Sequence, residues 1–266
     1  VYAGLGFTQN QGVVLGSNFG RFSGRLNVDH RVNSWFKVSL RQMFSINNTN
    51  GYADQSDQEQ GWGNSSPTSN IFQQDPTAPA KDENGEWLNG TSWSGTVDNP
   101  HLAFEDNSYE YYNTTSTRSM SNIDFTVNLT SWLYLTNQFG YDWADSRQYM
   151  WWGPTSVDGG SYEGLKNEYD LQSKTLTNST VLHFDKSFGK HSVTAIAGYE
   201  YADHYSDYIY ASTSKFPVSN LPALSVGQLN GAGGSRNRSV MKSILGSVNY
   251  NYADTYYASA SFRRDG

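Results

Sequence analysis

Residues 122–143 decide the fold of this chain, and they read NIDFTVNLTSWLYLTNQFGYDW. Apolar and polar side chains alternate on both sides of a short polar turn at 130–131. A period of two is typical of a β-strand with one apolar face, because successive side chains of a strand point to opposite faces. The segment therefore predicts an antiparallel hairpin whose apolar face carries Ile123, Phe125, Val127, Leu133 and Leu135.

The same alternation returns along most of the chain. It is regular in residues 22–29, 36–46, 193–201, 244–250 and 256–262, and less regular in 1–8 and 169–184. Together with the hairpin, these segments predict about nine strands, most of them near the roughly 9 to 11 residues that a tilted strand needs to cross a bilayer. No apolar run is long enough for a spanning helix, so a membrane interpretation must rest on strands.

The connections between the predicted strands alternate between short and long. Short turns fall at 31–34, 130–131, 185–190 and 251–255, and long polar connections fall at 9–19, 47–117, 151–167 and 209–237. Outer-membrane barrels have this layout, with short periplasmic turns and long extracellular loops. The sequence therefore predicts an all-β fold, an antiparallel transmembrane β-barrel wall. Residues 1–266 form one partial barrel domain with a large external loop at 47–117.

The composition fits such a wall better than it fits other classes of protein. Hydrophobic residues make up only 36% of the chain, yet aromatic residues reach 15%. Disordered chains are poor in aromatic residues, whereas membrane barrels place aromatic girdles at both interfaces. The net charge of −7 argues against a nucleic-acid partner, and the absence of cysteine excludes disulfides and thiolate metal sites.

Three segments resemble SusC-like (SusC/RagA-type) TonB-dependent outer-membrane transporters of Bacteroidetes-type bacteria. They are YAGLGFTQNQGVV with SNFGRFSGRLNVD within Tyr2–Asp29, FDKSFGKHSVTAIAGYE at Phe184–Glu200 and YYASASFRRDG at Tyr256–Gly266. The first resembles the barrel hairpins that follow the plug, the second a periplasmic turn and its upward strand, and the third a strand whose motif continues beyond the glycine. Their order and spacing match the family across nearly the whole chain.

The resemblance implies a plugged barrel of about 22 strands, of which this chain is an internal piece without the plug domain and the C-terminal strands. It further implies a multi-pass protein of the bacterial outer membrane, in contact with lipid, that is not an enzyme. The implied function is TonB-dependent active import of nutrients, either glycans or peptides. The implied partners are a SusD-like surface lipoprotein and the TonB complex, which acts through the plug region.

Aromatic residues in or beside the predicted external loops are the candidate substrate- or partner-contacting residues: Trp62, Trp87, Trp93, Tyr109, Tyr111, Tyr112, Trp151 and Trp152. Such rings stack on sugars or pack against a protein partner, and packing within the loops is the alternative. Trp35 and Trp132 lie at short turns, where tryptophan anchors a membrane interface.

The sequence predicts no catalytic residue, no metal site and no cofactor. His183 and His191 flank a turn, but nothing completes a set of metal ligands around them. Asp142 and Asp145 lie three apart in a predicted strand and point to opposite faces, so they cannot act together as a glycosidase pair. Two other functions stay open: a passive porin, which needs a closed barrel without a plug, and a soluble all-β carbohydrate-binding protein.

Overall fold

The computed structural model describes residues 1–13, 16–51, 77–88, 99, 101–102 and 110–266. These residues form one antiparallel sheet of 9 strands in sequence order, as the alternation predicts. The strands are β1 (Tyr2–Gln11), β2 (Asn18–Arg31), β3 (Phe36–Gly51), β4 (Glu110–Asn128), β5 (Leu133–Trp152), β6 (Leu165–Phe188), β7 (His191–Ser214), β8 (Gln228–Tyr252) and β9 (Tyr256–Asp265). A one-turn helix, α1 (Val157–Gly160), lies between β5 and β6.

The register fixes which side chains share a face. Phe125 pairs with Val38 on β3, and Val127 pairs with Phe36 and with Leu135 on β5. The predicted common face is therefore confirmed, and we name it the outer face. The opposite face, which we name the inner face, carries Lys37, Arg41, Asp124 and Asn128.

The short turns all lie at one edge of the sheet, which we name the lower edge. Asn33 shapes the first of them, because its side-chain oxygen accepts hydrogen bonds from the backbone N–H groups of Trp35 and Phe36 at 3.0 and 2.8 Å. In the last, Ala253 and Asp254 both have positive φ, of 53° and 52°. The Thr255 N–H donates to the Tyr252 carbonyl oxygen at 3.0 Å, so these two residues are the centre of a tight turn whose positive φ values match the twist of the flanking strands.

The strands run further from the lower edge than the sequence predicts. β3 continues to Gly51 and β4 begins at Glu110, inside the predicted 47–117 loop. The other three long connections shorten in the same way, because strands occupy 9–11, 18–19, 151–152, 165–167, 209–214 and 228–237. These additions do not alternate regularly between apolar and polar residues, so hydrophobic periodicity cannot detect them, while backbone pairing holds them in the sheet.

No helix among the described residues has the length and apolarity to cross a bilayer.

Candidate functional site

Four of the eight predicted site residues lie at the upper ends of β4 and β5, the ends away from the short turns. Tyr111 and Tyr112 belong to β4, and Trp151 and Trp152 belong to β5. Tyr111 pairs with Trp151, and both side chains belong to the outer face. Three of the others, Trp62, Trp93 and Tyr109, lie outside the described residues.

Trp87, the eighth predicted residue, lies in a short described segment of the large connection. Its ring stacks on His101 with the centroids 3.9 Å apart, and Lys81 Nζ lies 4.2 Å from the ring centroid. Asn99 links the two ends of the 80–88 turn, because its side-chain amide donates to the carbonyl oxygens of Ala80 and Leu88. Trp87 thus takes part in packing within the loop, with 38% of its surface still exposed.

A compact cap closes the upper ends of β5, β6 and β7. It consists of residues 153–164, which include α1, and residues 215–227. The backbone joins the two segments, because the N–H groups of Lys215 and Phe216 donate to the carbonyl oxygens of Tyr162 and Glu163 at 2.9 and 2.8 Å. Ser156 caps α1 through a hydrogen bond from the Gly159 N–H to its hydroxyl at 2.9 Å.

Tryptophan 151 is the centre of this cap. Its side chain is fully buried and meets the ring of Phe216 edge to face, with the centroids 4.7 Å apart. Gly164 makes room for the pair: it has a φ of +89°, and a Cβ atom there would lie 3.0 Å from Trp151 Cη2. Trp152 is also buried, on the inner face against Leu165. This burial favours the packing alternative for both tryptophans.

Lysine 166 is buried on the outer face beside the cap. Its side chain is only 2% exposed, and Nζ donates a hydrogen bond to the Tyr111 hydroxyl. Nζ also lies 4.6 Å from the Tyr111 ring centroid, 5.2 Å from the Tyr149 ring centroid and 3.6 Å from a carboxylate oxygen of Glu168. Burial lowers the pKa of Lys166, and burial together with Glu168 raises the pKa of Tyr111 to about 12.

This burial predicts that Lys166 resists acylation. After brief treatment of the folded, detergent-purified protein with an N-hydroxysuccinimide ester, peptide mass spectrometry should find the exposed Lys215 and Lys242 acetylated and Lys166 unmodified. All three should react after unfolding in denaturant. Equal labelling of Lys166 and Lys215 in the folded protein would contradict a closed cap.

A tyrosine patch lies on the inner face below the cap, and its members are Tyr112, Tyr169, Tyr208 and Tyr210. Tyr169 pairs directly with Tyr210 across β6 and β7. The ring centroids of Tyr169, Tyr208 and Tyr210 are 6.1 to 6.3 Å apart, with interplanar angles of 21° to 27°. Three such nearly equal separations exclude a single stacked column, so the rings lie side by side.

Glycine 233 positions one edge of the tyrosine patch. Gly233 on β8 pairs with Tyr210 on β7, and a Cβ atom at Gly233 would lie 2.7 Å from Tyr210 Cε1. The Tyr210 ring therefore lies directly over the β8 backbone at Gly233. A larger residue at position 233 would push the ring away.

Sequence reasoning placed Tyr112 among the site residues but missed Tyr169, Tyr208 and Tyr210. Tyr169 lay in an irregular strand, Tyr208 lay between a predicted strand and the predicted 209–237 loop, and Tyr210 lay inside that loop. The separation of two between Tyr208 and Tyr210 was a usable signal, because it puts both rings on one face of an extended β7.

Three ion pairs lie on the outer face near the height of the tyrosine patch. Arg238 forms a two-pronged ion pair with Asp203, at 2.9 and 2.6 Å, and Arg236 lies 3.2 Å from Asp207. Arg147 lies 3.4 Å from Asp170. These pairs on exposed strand surfaces keep that region of the outer face hydrated.

No group of three or more histidine or carboxylate side chains in the described part of the chain could hold a metal ion. Arg118 and Asp142 make the main inner-face ion pair of β4 and β5, with contacts of 2.9 and 2.5 Å. Mutual pairing of this kind occupies the carboxylate and is typical of a structural contact.

Comparison with curated proteins finds relatives along the whole chain. The chain is 26% identical over 275 residues to TonB-dependent receptor P3 of Formosa agariphila, and 22% identical over 278 residues to TonB-dependent receptor P39 of the same organism. Both alignments cover 100% of this chain, but only 26% and 24% of the relatives. The chain thus spans about a quarter of their length. No family model matches the sequence.

Solved structures share the fold. The RagAB peptide transporter aligns with 99% of this chain and 30% of its own chain, with a TM-score of 0.78 and 24% identity. The ferric-catecholate import receptor Fiu of E. coli K12 aligns with 99% of this chain and 39% of its own, with a TM-score of 0.53 and 12% identity. The nine-stranded sheet therefore matches part of a receptor barrel wall.

Proposed function

We propose that the chain is a SusC/RagA-like segment of a TonB-dependent receptor, and that the complete protein actively imports a nutrient across the bacterial outer membrane. The proposal is supported by the 26% identity to a TonB-dependent receptor along the whole chain and by the fold shared with the RagAB peptide transporter. In this proposal, residues 1–266 are one arc of a larger plugged barrel, and the large connection after β3 is an external loop. The outer face contacts lipid, and the inner face lines the path of the nutrient.

The observation that carries the proposal is the apolar band of the outer face. In β5 it runs from Leu133 to Trp143, which is about the length that a tilted strand needs to cross a bilayer. Ile244 and Val248 continue the band on β8 and are 58% and 47% exposed. A soluble protein rarely leaves such a continuous apolar surface uncovered.

Aromatic rings border this band on both sides. At the lower edge, His191 contacts Phe188 and Tyr252, with centroid separations of 5.7 and 5.0 Å. Tyr141 and Tyr199 lie at the upper border and are 36% and 45% exposed. Two aromatic girdles that enclose an apolar belt are characteristic of outer-membrane barrels, where amphipathic rings lie at the headgroup level.

The polar side chains inside the band bond to one another. Asn137 donates to the Thr180 hydroxyl at 2.7 Å and to Asn178 at 3.3 Å, and all three belong to the outer face. An amide in hydrocarbon is tolerated when its hydrogen bonds are made within the protein. These contacts support a lipid environment rather than contradict it.

The upper ends of the strands would project outside the cell. β6, β7 and β8 have 24, 24 and 25 residues, about twice what a bilayer requires. The cap and the tyrosine patch would then lie beyond the outer leaflet. We propose that a SusD-like lipoprotein covers this side, that the TonB complex acts through the plug region, and that the nutrient is a glycan or a peptide.

The proposal is tested in the bacterium that encodes the full-length gene. Deletion of the gene should abolish high-affinity uptake of one radiolabelled glycan or peptide from a panel, and the complete gene should restore it. Collapse of the proton-motive force with an uncoupler should stop uptake in the complemented strain, because TonB-dependent import is energised. Uptake that continues after the collapse would instead indicate a passive porin.

Partner binding is tested separately from uptake. Affinity purification of the full-length protein in mild detergent should recover a surface lipoprotein in near-equal amount, measured by quantitative mass spectrometry. Recovery of the barrel alone, under conditions that preserve its uptake activity, would remove the lipoprotein from the proposal and leave active import intact.

A further inference from the structure

Charge above the apolar band of the outer face is confined to one side of the wall. The outer-face positions of β1, β2, β3 and β4 carry no aspartate, glutamate, lysine or arginine anywhere along the described strands. Above the band, the outer-face positions of β5–β9 carry seven cations and five carboxylates. The asymmetry distinguishes this side of the wall from an evenly hydrated rim.

Every carboxylate on this side already has a cationic partner. Four of the five make the ion pairs described above, with Arg147, Arg236, Arg238 and Lys166, and the fifth, Asp145, lies 3.7 Å from Arg147 Nε. Three cations are left without a carboxylate partner among the described residues, and they are Lys174, Lys242 and Arg264. This part of the outer face therefore has an excess of positive charge.

Two of these cations lie at the border between the apolar band and the charged region. Lys242 lies two residues above Ile244 on β8, and Arg264 lies two residues above Phe262 on β9. Both cations are exposed, and each is the first charged side chain above the band on its strand. In the orientation proposed above, this border is the height at which hydrocarbon gives way to lipid headgroups.

Lys242 and Arg264 are close neighbours on the outer face. Arg264 pairs with Ile244, so Lys242 is its diagonal neighbour, and diagonal neighbours of an antiparallel pair lie roughly 7 to 8 Å apart. Both side chains are long enough for the ammonium and guanidinium groups to reach one shared anion. Like charges this close to hydrocarbon disfavour each other, so a bound anion would stabilise them.

The protein itself does not supply that anion. Asp265, the residue next to Arg264, belongs to the inner face and lies 3.0 Å from Arg263. Glu200 also belongs to the inner face, where it lies 2.9 Å from Arg263. Asp203, the nearest outer-face carboxylate on β7, is held by both prongs of Arg238.

The surroundings of the two cations favour an anion that carries acyl chains. Phosphate oxygens accept hydrogen bonds from guanidinium and ammonium groups. Directly below the cations, Ile244, Val248 and Phe262 are 58%, 47% and 61% exposed. Acyl chains attached to a phosphate would cover this apolar surface, whereas a free phosphate ion or an acidic protein segment would leave it uncovered.

From these observations we propose that Lys242 and Arg264 bind the phosphate group of an acylated lipid in the outer leaflet. Lys174, which pairs with Tyr205 across β6 and β7, extends the positive surface along the wall. The inference rests on the proposed function only in placing the outer face against lipid, and it requires neither energised transport nor a particular nutrient.

The test uses the delipidated full-length receptor in detergent, with lipid affinity measured by native mass spectrometry. Dioleoyl phosphatidic acid is the anionic probe, and dioleoyl phosphatidylcholine has the same acyl chains but its own cation. Phosphatidic acid should bind about thirtyfold more tightly, because two cations at a membrane surface contribute to its binding. Equal affinity for the two lipids would overturn the inference.

A soluble probe distinguishes lipid from free phosphate. Glycerol 3-phosphate is phosphatidic acid without its acyl chains, so it should not displace the bound lipid at equal concentration. Displacement at equal concentration would mean that the site takes a soluble phosphate compound, and the proposed lipid would then be wrong.

Protection from acylation locates the lipid on the wild-type protein. Lys242 should react with an N-hydroxysuccinimide ester in lipid-free detergent, and phosphatidic acid that fills about nine-tenths of the sites should slow the reaction about tenfold. Lys215 in the cap should react at an unchanged rate, and phosphatidylcholine should protect neither lysine. Equal protection of both lysines by phosphatidic acid, or of neither, would overturn the inference.

Two adjacent residues of β9 provide a matched pair of variants. Arg263→Gln and Arg264→Gln remove the same charge, but only Arg264 belongs to the outer face. Arg264→Gln should weaken binding of phosphatidic acid about fivefold, and Lys242→Gln with Arg264→Gln about thirtyfold, while Arg263→Gln should bind like the wild type. Lys242→Arg with Arg264→Lys keeps both charges and should retain affinity within about threefold.

Heat-modifiable gel mobility verifies that each variant is assembled. Unchanged binding by an assembled double glutamine variant would overturn the inference, as would equal losses in Arg263→Gln and Arg264→Gln. The two proposals fail in different ways. Energised uptake by a receptor with no preference for phosphatidic acid would remove the inference alone, whereas uptake independent of the proton-motive force would remove active import and leave lipid binding in place.

Discussion

Replacing Phe125 with arginine is expected to lower the yield of assembled receptor more than any inner-face substitution nearby. Phe125 lies on the outer face within the apolar band, between Val38 and Asn137 in the register, and its ring stacks with Phe36 at a centroid separation of 6.1 Å. A charge on the lipid side of a barrel costs about 2 to 4 kcal/mol at the bilayer midplane and less near the interfaces. The variant should assemble poorly, as measured by heat-modifiable mobility of the full-length protein in membranes.

The neighbouring residue provides the matched control. Thr126 follows Phe125 in β4, has nearly the same depth and belongs to the inner face, where it pairs with Lys37 and Thr136. Thr126→Arg can keep its guanidinium hydrated, so assembly should be close to the wild-type yield. Equal losses in the two variants would contradict the assignment of lipid to the outer face, because the substitutions differ chiefly in the side of the wall that they change.

The lower half of the fold was predictable because apolar and polar side chains alternate along its strands. Residues such as Ile123, Phe125 and Leu135 alternate with polar neighbours, since one side of each strand is apolar and the other is wet. That alternation gave the number of strands, the short turns and the common face. The upper half lacks this signal: Asp203, His204 and Tyr205 are all polar, so both faces look alike in sequence even though β7 continues for another nine residues beyond Tyr205.

The candidate site was predictable only in part, for a related reason. Searching for aromatic residues in long loops found Tyr112, which belongs to the tyrosine patch, and Trp151, which is buried in the cap. The same search missed Tyr169 and Tyr208, because a partly wrong boundary between strand and loop hides which residues share a face. Cross-strand register is a tertiary property, and it brings Tyr169 to Tyr210 across 41 residues of sequence.

The cap accounts for the buried tryptophan, Trp151, at the upper end of β5, next to a polar connection. Residues 153–164 and 215–227 are each too short to fold alone, and they need a shared apolar centre to hold a single conformation. Trp151 and Phe216 provide it, while Gly164 and the backbone hydrogen bonds from Lys215 and Phe216 fix the approach of the two segments. The cap therefore behaves as one unit above β5, β6 and β7.

This arrangement predicts a large local effect for Phe216→Ala. Phe216 is 6% exposed, and truncation of a buried phenylalanine to alanine typically costs about 3 to 5 kcal/mol. The loss should fall on the cap rather than on the strands, whose backbone pairing does not depend on this ring. Limited proteolysis of the folded, detergent-purified full-length protein should then cut within 153–164 or 215–227 at least tenfold faster than in the wild type, while heat-modifiable mobility of the barrel persists.

Two further variants separate apolar packing from general disturbance of the loop. Val218→Ala changes a residue that is 47% exposed in the same segment, so its cleavage rate should match the wild type. Gly164→Ala should behave like Phe216→Ala, because the added Cβ atom would meet Trp151 at 3.0 Å in a backbone conformation with a φ of +89° that alanine rarely adopts. Cleavage that is equally fast in Phe216→Ala and Val218→Ala would mean that the two segments are already independent, and the Trp151–Phe216 contact could then not be what closes the cap.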